Sequence, residues 1–153
     1  MTDLTTSITF SALVAVVLYI TASLLELRTH NEKRNLAISL VGCAGALCHL
    51  LTLLLTMSAA GGVSGSFFDA LSLTAFIVVV VTYINQRQMG SDILLAPVFA
   101  FSALCVFLAA KFGHHVPIQT TSTGILAHIT VSVTAYALLC LASLQAVIVY
   151  AVS

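Results

Sequence analysis

The sequence predicts an all-α fold, a polytopic transmembrane bundle of about five helices. Hydrophobic residues make up 60% of the chain and charged residues 7%, and the mean hydropathy is +1.14. A soluble domain of this size has too little interior to hide so much apolar surface, whereas a bilayer accommodates it. The apolar residues also fall into five runs separated by short polar breaks, each near the ~20 residues a helix needs to cross ~30 Å of hydrocarbon. Backbone groups in lipid must be satisfied within their own segment, so the runs are helices. They set spans at 8–27, 36–57, 67–84, 93–110 and 125–152 in one transmembrane domain covering 1–153.

The first span follows a segment without Lys or Arg and is too long for the core of a cleaved signal peptide, so it reads as a retained anchor. Its following connection carries Arg28, Lys33 and Arg34, with Glu26, Glu32 and His30 as solvated interfacial neighbours. In the second span Gly42, Gly45, His49, Thr52 and Thr56 recur at spacings of three and four, which puts small and polar residues on one helix face. Membrane helices present such faces to one another, so His49 is expected to point into the bundle.

The Gly61, Gly62 and Gly65 connection lacks a strand and a GK[ST] signature and reads as a flexible loop. Ser66 and Asp69 have capping-box-like spacing at the start of the third span, and Ser91 and Asp92 are expected to cap the fourth. Pro97 is expected to bend the first turn of that fourth helix. In the fifth span His128, Ser132, Tyr136, Cys140 and Ser143 form a second polar stripe, also expected to be buried. Without Trp, interfacial anchoring falls to Tyr19, Tyr83 and Tyr150.

Basic residues set the orientation. Arg28, Lys33, Arg34 and Arg87 share one side and Lys111 stands on the other, so the positive-inside rule puts the N-terminus outside and the C-terminus in the cytoplasm. The helical rise then sets His49 about 12 Å and His128 about 5 Å beneath the outer boundary. At depths about 7 Å apart the two rings are not expected to clamp one iron.

Zero net charge with five basic side chains leaves no basic surface for nucleic acid. Cys43, Cys48, Cys105 and Cys140 lie in apolar runs without CxxC or CxxCH spacing and read as structural thiols. No nucleophile–base pair, carboxylate dyad or cofactor loop points to an enzyme. An ionisable ring inside a membrane span is costly and marks ligand, proton or cofactor handling by default, so His49 and His128 are the candidate site residues. Neutral imidazole there can coordinate iron while its other nitrogen is held by Ser132, Thr52 or a backbone carbonyl. Hydrogen bonding across helices as packing is the competing role, and spacing alone weighs the two equally. His114 and His115 beside Lys111 read as a solvated loop, with contact to a haem propionate or a transient metal as the less favoured alternative.

The segment TSTGILAHITVSVTAYALLCLASLQAV, with LCHLLTLL around His49 and LLAPVFAFSAL around Pro97, resembles the cytochrome c assembly family of haem-handling inner-membrane proteins, of the CcsA/HemX type, from Arg34 onward. The resemblance implies haem as a cofactor, His128 and His49 as haem-ligand candidates, and a role in cytochrome complex assembly with other maturation components in a bacterial inner membrane. It also implies further helices beyond Ser153, since family members are longer, and the chain lacks the Trp-rich external loop of one family branch. Two alternatives stand beside it. One is a transporter subunit in which the histidines relay protons, and the other is a structural or regulatory membrane protein linked to tetrapyrrole synthesis.

Overall fold

The protein, seen here as a computed structural model, is described over residues 2–28, 35–62, 64, 66–89, 94–113 and 122–152. The readings made on residues 29–34, on Gly65, on Ser91 and Asp92, and on His114 and His115 fall outside these residues. Five helices account for the fold: α1 Thr2–Arg28, α2 Asn35–Ala60, α3 Phe67–Met89, α4 Leu95–Phe112 and α5 Thr123–Val152. Among the described residues there is no strand, and each helix is long and apolar enough to cross a membrane. The chain is a multi-pass membrane protein.

Every span expected from the sequence is present, and most helices overrun it, because a helix continues through the interfacial layer where hydropathy has already fallen. The largest overrun is in α1, which begins at Thr2, six residues before its expected start, while α3 continues five residues past its expected end to Met89, so Arg87 lies on a helix and not in a connecting loop.

Helices α1, α2, α3 and α4 close a four-helix ring, with α1 against α2 and α4, and α3 against α4 and α2. Helix α5 has α3 as its main neighbour. The ring closes tightly because α1 buries Ala12, Ala15, Tyr19 and Ala22 at spacings of three, four and three. Small residues on that stripe let neighbouring backbones approach. The opposite face of α1 exposes Phe10, Leu13, Val17 and Ile20, the apolar surface that lipid covers.

The stripe expected on α2 is buried throughout: Gly42, Gly45, His49, Thr52 and Thr56 all face inward. Helix α2 ends at Gly61, whose φ of 71° is left-handed and suits a residue without Cβ. Gly62 N–H then donates to the Met57 carbonyl at 2.9 Å, closing the helix end.

Helix α4 begins differently from the expectation. Its N-cap is Leu94, without a side-chain cap hydrogen bond. Pro97 therefore sits third in the helix, where a backbone N–H has no intrahelical acceptor, and its missing donor removes no helical hydrogen bond. Ser23 Oγ on α1 donates to the Ala96 carbonyl at 2.9 Å and ties this first turn to its neighbour.

Candidate functional site

The centre of the ring is polar. His49 is fully buried about 16 Å from the end of α2, counting eleven residues to Ala60. Both ring nitrogens are engaged: Nδ1 shares a 3.2 Å hydrogen bond with the Tyr19 hydroxyl on α1, and Nε2 a 2.9 Å bond with Ser72 Oγ on α3. Phe76 and Tyr19 meet the imidazole edge-on, with ring centroids 5.4 and 5.8 Å away. Tyr19 in turn stacks on Phe99 of α4 at 5.7 Å. One imidazole thus joins α1, α2 and α3, and through Tyr19 its packing reaches α4.

Below this triad the facing stripes of α2 and α3 run antiparallel. His49, Thr52 and Thr56 descend one helix while Phe76, Ser72 and Asp69 descend the other. Thr52 Oγ1 bonds Ser11 Oγ at 3.0 Å and the Cys48 carbonyl at 2.9 Å, so its hydroxyl serves α1 and its own helix and does not orient His49. Asp69 is buried and accepts a 2.6 Å hydrogen bond from Ser64 Oγ. It therefore ties the α2–α3 connection to α3 and also lines two cavities. Its expected partner, Ser66, instead takes its backbone N–H to Ser64 Oγ at 3.3 Å.

His128 stands apart. It lies on the exposed side of α5, about 8 Å past the helix start. The burial expected for its stripe is not found: Tyr136 is 65% exposed, Ser143 is exposed, and Ser132 and Cys140 are half-buried. The buried positions are instead Ala137 and Leu141, flanked by half-buried Ile129, Val133 and Leu144. That stripe is displaced by one residue, about 100° of helix rotation. Alanine and branched aliphatic residues fill the groove beside α3, while the hydroxyls of Thr134 and Ser143 turn back to carbonyls of their own helix. The two histidines are not brought together.

Haem fits these residues unequally. His49 has both nitrogens committed to protein hydroxyls and is fully buried, and the two cavities that the described residues form around Asp69 measure only about 40 and 10 Å³. Its environment is that of a fully satisfied cross-helix hydrogen-bonding residue, the alternative the spacing had left open. His128 has an exposed ring that fits an axial ligand approached from outside the bundle. Among the described residues, no group of three or more His, Cys, Asp or Glu is arranged to hold a metal ion. The four cysteines are free thiols.

Tyr19, Ser72 and Asp69 are the site residues that sequence spacing did not identify. The sequence points to the interface for Tyr19, yet it is fully buried within α1. The signal was present in the Ala12, Ala15, Tyr19 and Ala22 spacing, which repeats the small-residue rhythm of the α2 stripe. Tyr150, 85% exposed near the end of α5, does suit a belt residue.

The fold and its polar centre define a multi-pass α-helical membrane protein built around a buried histidine. No family model, curated protein or solved structure matches the chain.

Proposed function

We propose that this chain is a haem-handling component of cytochrome c assembly in a bacterial inner membrane, with His128 as the axial-ligand residue. The single observation that carries the reading is the imidazole of His128 on an outward-facing, otherwise largely apolar helix. An ionisable side chain facing hydrocarbon is costly unless it has something to bind. Cross-helix packing accounts well for His49 but not for His128, which makes no hydrogen bond to another helix among the described residues. The resemblance of residues 121–147 to the ligand-bearing helix of the cytochrome c assembly family names the ligand.

Bound haem supplies an iron centre for neutral imidazole to coordinate. Ser132, one turn further along α5, is the candidate to hold the other ring nitrogen and so fix the ring's orientation. The partners in this reading are lipid, haem and other maturation components. Protein purified from its membrane in mild detergent is expected to carry a Soret band that His128→Ala removes and His128→Gln does not restore. Wild-type haem spectra in both variants would overturn the reading.

The same reading puts the N-terminus and the α2–α3 connection outside and the C-terminus in the cytoplasm, from the bias of Arg28, Lys33, Arg34 and Arg87 to one side. With the native cysteines replaced, new cysteines at Ser64 and Gln119 are expected to react with a membrane-impermeant thiol reagent in intact cells. Cysteines at Asn31 and Gln88 should resist it. The reverse pattern would invert the topology and move His128 to the cytoplasmic half.

A further inference from the structure

Beside the His49 triad lies a space bordered by every helix of the ring. It is a cavity of about 10 Å³, walled by Ile8 of α1, Thr52 and Thr56 of α2, Asp69 and Ser72 of α3, and Ala109 of α4. That is about the least room that admits one water molecule, and three hydroxyls and a carboxyl line it, so the polar partners a buried water requires are present. Asp69 is the ionisable side chain among the described residues that line it. A second cavity of about 40 Å³, walled by Ser64, Leu73, Ile129 and Val133, shares Thr56 and Asp69 with the first. The pair leads from the α2–α3 end of the bundle to Ser72, whose Oγ is 2.9 Å from His49 Nε2.

We propose that the smaller cavity binds a water molecule that links the Asp69 carboxyl to His49 through Ser72, giving the buried imidazole proton exchange with the α2–α3 end of the bundle. Each link is a group that both donates and accepts, as proton hopping requires. In one transfer the proton leaving the Asp69 carboxyl forms an O–H bond to the water, and the water gives one of its hydrogens to Ser72 Oγ. The serine's original hydrogen becomes the N–H of His49 Nε2. Asp69 is left as carboxylate and His49 as imidazolium, so charge balances, and the reverse sequence returns the proton. On the far side of the ring the route meets Tyr19, stacked on Phe99. Exchange therefore runs to one end of the bundle. This inference stands on the ring cavity and is independent of what His128 binds.

The test is hydrogen–deuterium exchange of the His49 ring N–H by ¹⁵N-histidine NMR on the full chain in lipid nanodiscs. The backbone amide of Val78, fully buried on α3, reports opening of the bundle. The His49 ring is expected to exchange well before the Val78 amide and to receive magnetisation directly from water. Thr56→Val and Asp69→Asn, near-isosteric changes that each remove one partner of the water, should slow ring exchange by about tenfold, the effect of losing one hydrogen bond. A ring proton that exchanges only with the Val78 amide would overturn the proposal. So would a rate unaltered in both variants. The first comparison uses the wild-type chain and stands even if a variant fails to fold.

Discussion

Replacing His49 by alanine should destabilise the bundle by about 3 kcal/mol or more, since a large buried side chain is lost and two hydroxyl partners are orphaned at once. The Tyr19 hydroxyl and Ser72 Oγ both hydrogen-bond this ring, and both residues are buried. Hydrogen bonds between membrane helices average only about 0.6 kcal/mol in double-mutant cycles, so most of the loss should come from the cavity left between Tyr19 and Phe76. His49→Gln, which refills part of that space and keeps polar atoms, should recover part of the stability. Thr134→Ala is the matched control, because that exposed hydroxyl bonds the Thr130 carbonyl of its own helix. Reversible unfolding in mixed micelles measures all three. A His49→Ala loss no greater than that of Thr134→Ala would mean that the triad does not hold the helices together.

Gly42→Ala should be far more damaging than Gly45→Ala, although both glycines lie on the same face of one helix. A Cβ on Gly42 would overlap the Tyr83 hydroxyl and the Phe99 ring. Neither neighbour yields easily: Tyr83 donates to the Ser39 carbonyl at 3.1 Å, and Phe99 is fully buried beneath Tyr19. At Gly45 the nearest atoms are Tyr19 ring carbons at 3.0 and 3.2 Å, a crowding that a shift of a few tenths of an ångström relieves. Overpacking a closed core costs about 1–3 kcal/mol. Exchanging glycine for alanine inside a helix returns about 1 kcal/mol. Gly45→Ala is therefore expected to be close to neutral and Gly42→Ala to lose about 2 kcal/mol, with the gap widening for valine at the same positions. Equal melting temperatures for the two alanine variants would show that α2 does not approach α3 and α4 as closely as described.

The five helices were legible because hydropathy and backbone satisfaction in lipid act on whole segments and tolerate errors of a few residues at each end. The α2 face was legible for a related reason: glycine, histidine and threonine at spacings of three and four all avoid lipid, so they agree on one direction. On α5 the same logic misled. Its stripe of His128, Ser132, Tyr136, Cys140 and Ser143 competes with an equally regular one of Ile129, Val133, Ala137 and Leu141. In lipid, packing and not polarity decides which face meets a neighbour. Threonine and serine hydroxyls on a helix can satisfy themselves on the preceding turn, so their presence does not mark a buried face. Tyr19 and Ser72 were hidden because their role is a contact between helices 30 and 23 residues away from His49, which periodicity within one helix does not encode. Asp69 looked like a cap from its position three residues after Ser66. Its carboxylate instead packs against Gly113 at the end of α4, where a Cβ would lie 2.7 Å from Oδ1.

The two histidines thus stand in separate places, His49 closing the ring of helices and His128 exposed on α5, where the proposed function puts the ligand to iron. The most direct measurement is haem bound per chain, read from the Soret band of protein purified from its membrane, with His49→Gln and His128→Gln compared side by side. His49→Gln is expected to keep the wild-type haem ratio while melting at a lower temperature, and His128→Gln to lose most of its haem while melting like the wild type. Haem lost with His49 and kept with His128 would contradict this division and put the iron at the centre of the bundle.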